Sequence, residues 1–82
     1  MSSYLEIGPG RGDFLFWLAA ENPDKTVTAI EYKRKRFDKL VRRREAKDSK
    51  NVELYYGDAK IVIPQLFNEE TFDKIFILRC PR

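Results

Sequence analysis

The chain has 82 residues, 43% of them hydrophobic and 35% charged, with a formal net charge of +3. This length fits one domain at most and buries only ~60–65% of the surface exposed by the unfolded chain, while eleven aromatic residues set it apart from disordered sequences. A single cysteine, Cys80, excludes an internal disulfide, no apolar run is long enough to span a bilayer, and the first residues carry no basic-then-apolar leader, so a soluble cytoplasmic domain without membrane contact is expected.

The first strand is expected at Tyr4–Ile7, and it runs straight into Gly8-Pro9-Gly10-Arg11-Gly12. Glycines in alternation after a strand let a main-chain turn approach something that side chains would exclude. A helix follows from Asp13 to Glu21, with Phe14, Leu15, Trp17 and Leu18 on one broad buried face. Asn22–Lys25 has turn chemistry, since Pro23 cannot continue the helix, and Thr26–Glu31 is a β-branched run that reads as the second strand. The second helix spans Arg34 to about Lys47, with Phe37, Leu40, Val41 and the stem of Arg44 turned inward. Asn51–Ala59 is the third strand. Lys60–Phe67 reads as a short helix interrupted at Pro64, where a hydrogen-bond donor is missing. Lys74–Leu78 is the last strand. Alternating strands and helices with short connections predict an α/β fold: about four parallel strands with helices packed on the sheet.

Charge is unevenly spread. Between Lys33 and Lys50 there are ten basic residues and three acids. Lys33, Arg34, Lys35, Arg36, Arg42, Arg43 and Arg44 are candidates for contacting nucleic-acid phosphates; the alternative is an ordinary solvated helix face.

In an open parallel sheet, ligands bind beyond the carboxyl ends of the strands, where the first strand-to-helix turn lies. Dinucleotides and S-adenosylmethionine both use such turns. A dinucleotide fingerprint has its third glycine one position later than here, where this chain carries Asp13, a carboxylate that would repel a pyrophosphate. The spacing Gly8, Gly10, Gly12 with Glu6 just ahead suits a ligand with a cationic amino-acid moiety and no phosphate. Glu31 ends the second strand, where a carboxylate can accept both ribose hydroxyls. Asp58 and Ala59 end the third, where a carboxylate can accept from an adenine amino group and a backbone amide can donate to a ring nitrogen. With Asp13, four carboxylates would line one rim and favour a positively charged ligand. Plainer alternatives are a glycine turn that is only a tight connection, Glu31 as a solvated strand end and Asp58 as a helix cap.

These segments resemble a known family. Tyr4–Lys25, then "TAIE", then "NVELYYGDA" and "IPQLF", are similar to the cofactor half of the tRNA guanine-N7 methyltransferases, class I S-adenosylmethionine-dependent enzymes of Rossmann-like fold. The resemblance covers Tyr4 to about Leu78. It implies that Glu6, Glu31 and Asp58 contact the cofactor, that Gly8, Gly10 and Gly12 shape the loop beneath its methionine part, and that Ala59 lies beside the adenine. It also implies tRNA as substrate, and of the basic helix residues Lys33, Arg34, Arg36, Arg42 and Arg43 are the candidate contacts on grounds of charge. In the family a proline-rich segment with an active-site aspartate follows the fourth strand. This chain has Pro81 and then Arg82 where that aspartate is expected. Residues 1–82 are therefore expected to be a partial S-adenosylmethionine-binding domain with no catalytic residue and no metal site. A non-catalytic basic nucleic-acid-binding module is the main alternative, and an NAD-binding fragment the third. The fourth strand is expected to leave an apolar edge open to self-association.

Overall fold

The computed structural model describes residues 3–66 and 74–77, with side chains through residue 64. In chain order the elements are β1 (Ser3–Ile7), α1 (Asp13–Glu21), β2 (Thr26–Glu31), α2 (Arg34–Lys47), β3 (Val52–Tyr56), α3 (Ala59–Leu66) and β4 (Lys74–Ile77). The strands form one parallel sheet in the order β3-β2-β1-β4. The chain thus steps outward from β1 to β3 and then returns to the other side of β1. That reversal opens a crevice at the carboxyl end of β1, where the glycine turn begins.

Strand alternation sorts the side chains between two layers. Tyr4 pairs with Val27, which pairs with Val52, and Glu6 pairs with Ala29, which pairs with Leu54. Val27, Ala29 and Val52 join Leu15, Phe16, Leu18, Ala19 and Leu40 in the core, with Tyr4, Phe14 and Leu54 packed against it. This is the face covered by α1 and α2. Leu5, Thr28 and Ile30 alternate to the opposite face, where they are also buried, and α3 packs against β2.

Several sequence expectations need correction. Trp17 is not core: it is 57% exposed and lies against Phe14, with ring centroids 5.8 Å apart. The inward stripe of α1 is Leu15, Phe16, Leu18 and Ala19, and helical spacing turns the residue in the middle of that set outward. β3 stops at Tyr56 rather than Ala59, because Gly57 adopts φ 145° and the Asp58 carbonyl accepts from the amides of Ile61 and Val62, at 2.9 and 2.8 Å. α3 passes through Pro64 without interruption. The lost donor would have served the carbonyl of Lys60, an exposed residue, where water can take its place. β4 lies at a sheet edge as expected; Leu78, Cys80, Pro81 and Arg82 lie outside the described residues.

Two side-chain ties hold the layers together. Arg44 Nε donates to the Val52 carbonyl at 2.6 Å, joining α2 to β3. Asn51 Nδ2 lies within hydrogen-bond distance of the carbonyls of Ala19, Asn22 and Lys25, at 2.9, 3.1 and 3.0 Å. One amide thereby gathers the end of α1, the following turn and the entry to β2.

Candidate cofactor site

The site grows from the end of β1. The amide of Gly8, with φ 71°, donates to the Ile30 carbonyl at 3.1 Å and extends the β1–β2 ladder by one bond. The chain then bends, and the Gly12 amide closes the turn on the Pro9 carbonyl at 2.9 Å. Gly12 has φ 89° and is the N-cap of α1. A Cβ at Gly12 would stand 2.6 Å from Leu40 Cδ2 and 2.9 Å from Phe16 Cε2. Its missing side chain therefore makes room for α2, a packing role that the spacing of the three glycines did not reveal.

Glu6 and Glu31 share the α1/α2 face. Glu6 pairs in register with Ala29, two residues before Glu31 on the adjoining strand, so the two acids are diagonal neighbours. Both are buried, at 0% and 2% exposure. Among the described residues neither Glu6 carboxylate oxygen has a hydrogen-bond partner, and neither does Glu31 Oε1; Glu31 Oε2 accepts from the Lys33 amide at 2.9 Å. Burial pushes the Glu6 carboxyl from 4.5 up to about 7, since removal from water penalises the ionised form. Carboxylates buried without donors are costly, and three bare oxygens on one face make a concentrated acceptor site.

On the other side of the strand ends lies a hollow of about 490 Å³, lined by Ile7, Gly8, Ile30, Tyr32, Gly57, Asp58, Ala59 and Lys60. Gly8, Asp58 and Ala59 thus meet on one wall, together with Tyr32, Gly57 and Lys60, which the sequence reading did not select. Gly57 carried a readable signal, a glycine directly after a strand, whereas Tyr32 and Lys60 carried none. Glu6, Gly10, Gly12 and Glu31 are not on this wall; Glu6 and Glu31 belong to the sheet face beside it. Asp58 is exposed, and its Oδ1 accepts from the Lys60 amide at 2.9 Å, so it also caps α3.

Two further expectations change. Asp13 is not a free rim carboxylate, because its Oδ1 pairs with Arg43 Nη1 at 2.8 Å. The basic residues differ among themselves: Lys33 lies over the Tyr32 ring, Arg34 pairs with Asp38 at 3.1 Å and lies over Tyr56, and Arg43 and Arg44 turn inward to the fold. Lys35 and Arg42 are exposed. Among the described residues, no group of three or more His, Cys, Asp or Glu side chains could hold a metal ion, and no helix is long and apolar enough to cross a membrane.

Comparison with known proteins bears on the fold and the family. The chain is 40% identical over 73 residues to a tRNA (guanine-N(7)-)-methyltransferase of Aquifex aeolicus, covering 89% of this chain and 25% of that protein. It is 30% identical over 77 residues to the protein of the same name from Clostridioides difficile, covering 94% and 36%. The chain thus spans between a quarter and about a third of the length of these curated relatives. Among solved structures, the O-methyltransferase TomG from Streptomyces achromogenes, in complex with SAM, superposes with a TM-score of 0.77 at 33% identity, over 92% of this chain and 35% of that one. The neighbours share the Rossmann-like fold of class I methyltransferases, of which this chain is one part. A family model described as "Putative methyltransferase" matches residues 1–79, and with nearly the whole chain inside that match, the protein belongs to this methyltransferase family.

Proposed function

We propose that residues 1–82 are the S-adenosylmethionine-binding part of a tRNA guanine-N7 methyltransferase. The observation that carries this reading is the set of three buried, partnerless carboxylate oxygens on Glu6 and Glu31 beside the glycine turn. A ligand with an ammonium group and vicinal hydroxyls supplies the donors those oxygens lack, so the residues present fit the cofactor. In this reading Glu6 accepts from the α-ammonium and Glu31 Oε1 from the ribose hydroxyls. Asp58 and the Ala59 amide address the adenine edge, with Ile7, Ile30 and Tyr32 as its apolar surroundings. Gly8 and Gly10 keep the loop free of side chains beneath the methionine part, and Gly12 seats that loop on α2.

When bound, S-adenosylmethionine supplies an electrophilic methyl group that the lone pair of guanine N7 can take up as the thioether leaves. N7 carries no proton in neutral guanine, so the chain needs no base before attack; its own residues bind and orient. No catalytic residue is assigned among the described ones. The tRNA substrate is favoured by the names of the relatives. Lys33, Arg34, Arg36 and Arg42 are the proposed phosphate contacts, without Arg43, whose hydrogen bonds are internal. A cytoplasmic setting follows from that substrate. Self-association through the β4 edge is expected at high concentration, and a monodisperse monomer in sedimentation would count against it.

Calorimetric titration with S-adenosylhomocysteine, NAD and tRNA tests the assignment. Saturable heat with the first and none with NAD is expected. Binding of tRNA with no response to S-adenosylhomocysteine would replace this reading with a non-catalytic nucleic-acid-binding module.

A further inference from the structure

Arg43 reaches from α2 to the last bend of the glycine loop. Its Nη1 donates at 2.8 Å to the Arg11 carbonyl and at 2.8 Å to Asp13 Oδ1, one acceptor on each side of Gly12. The guanidinium carbon lies 5.2 Å from the centroid of the Phe16 ring, which limits where it can swing. Three residues earlier on the same helix, Leu40 packs where a Gly12 side chain would be. α1 has no side-chain cap of its own. Besides its own bond from Gly12 to Pro9, the bend is thus held from outside, by an α2 residue 30 to 32 positions further along the chain.

The ion pair by itself would do little. The Asp13 side chain is 77% exposed and that of Arg43 36%, and exposed pairs are screened by water. The bond to the Arg11 carbonyl differs in kind, because it fixes main chain at a left-handed glycine.

We propose that Arg43 is a positioning residue: it holds the Arg11–Asp13 bend in the shape that the Gly8–Gly12 loop presents to its ligand. The ligand's identity rests on the cofactor reading above; the ordering of the loop does not. Arg43 thereby leaves the set of phosphate contacts and becomes part of the frame of the site.

The test compares Arg43→Ala and Arg43→Lys with Lys39→Ala in the 82-residue chain. Lys39 is an exposed cation on the same helix with no assigned contact, so its variant removes the same charge and leaves the bend untouched. Amide hydrogen exchange at Gly12 reports the bend, calorimetry with S-adenosylhomocysteine reports binding, and a thermal melt reports global stability. For Arg43→Ala, exchange at Gly12 is expected to accelerate and affinity to fall about tenfold, with a melting point close to that of the parent. Lys39→Ala is expected to change neither. Lysine keeps the charge but lacks the planar fork, so Arg43→Lys is expected to fall between parent and alanine, and it serves as the reading if the alanine variant fails to fold.

Unchanged exchange at Gly12 overturns the proposal. So does faster exchange with unaltered affinity, or an equal loss of affinity in Lys39→Ala. A parent chain that takes up no S-adenosylhomocysteine overturns the cofactor reading itself, and the positioning role with it; the exchange data then still report whether Arg43 orders the bend.

Discussion

Glu6→Gln isolates the cost of a buried carboxylate. In the folded chain Glu6 is fully buried with no partner among the described residues, and its carboxyl rises from 4.5 to about 7. Below the lower value both folded and unfolded chains hold the proton, and Glu6 adds no pH dependence. Between the two values the unfolded chain ionises while the folded chain does not, so stability falls as pH rises. Above about 7 both are ionised and the loss is complete. At about 1.4 kcal/mol per pH unit, the full loss is roughly 3 kcal/mol, most of which falls between pH 5 and 8. Glutamine has nearly the same shape and does not titrate. Whatever its amide costs in that pocket is a constant offset, so the difference between variant and parent isolates the Glu6 contribution from that of every other acid. Urea unfolding at pH 5, 6, 7 and 8 is the assay. With a denaturant dependence of about 1 kcal/mol per molar, the midpoint of Glu6→Gln should gain roughly 2–3 M on the parent across that range. A difference between the two midpoints that stays constant with pH would refute the argument.

Gly12→Ala should destabilise the chain by about 1–3 kcal/mol, since a methyl group meets Leu40 Cδ2 at 2.6 Å and φ is 89°; a melting point equal to the parent's would contradict the packing role. Asn51→Ala leaves the carbonyls of Ala19, Asn22 and Lys25 without their shared donor, an expected loss of about 2 kcal/mol read from the urea midpoint. Because Asn51 lies at the opposite end of the strands from the glycine turn, S-adenosylhomocysteine affinity measured well below the unfolding range should be unchanged.

Features set by local pattern were legible in the chain. Val27, Ala29 and Ile30 in a β-branched run between turn residues read as a strand, and all are buried there. Phe37, Leu40 and Val41 recur at helical steps, and Leu40 is fully buried. The glycine turn and the acids at the strand ends could be found because parallel β-α units bring all strand carboxyl ends to one rim. Boundaries were less secure where one residue serves two elements. Asp58 looked like the end of a strand, yet its main chain already opens α3.

The order of elements and the positions of Glu6, Gly8, Glu31 and Asp58 at or next to strand carboxyl ends followed from residue types and their periodicity, because each depends on neighbours within a few positions. Tertiary structure alone decided which of these side chains are buried and bare, that Trp17 faces outward, that Gly12 yields its space to Leu40, and that Arg43 and Asn51 hold segments 26 to 32 residues away. Such contacts leave no local periodicity. They are set by which layers of the folded sheet come to lie against each other, and a hydrogen bond to a distant carbonyl imposes no requirement on the identity of the residue that owns it.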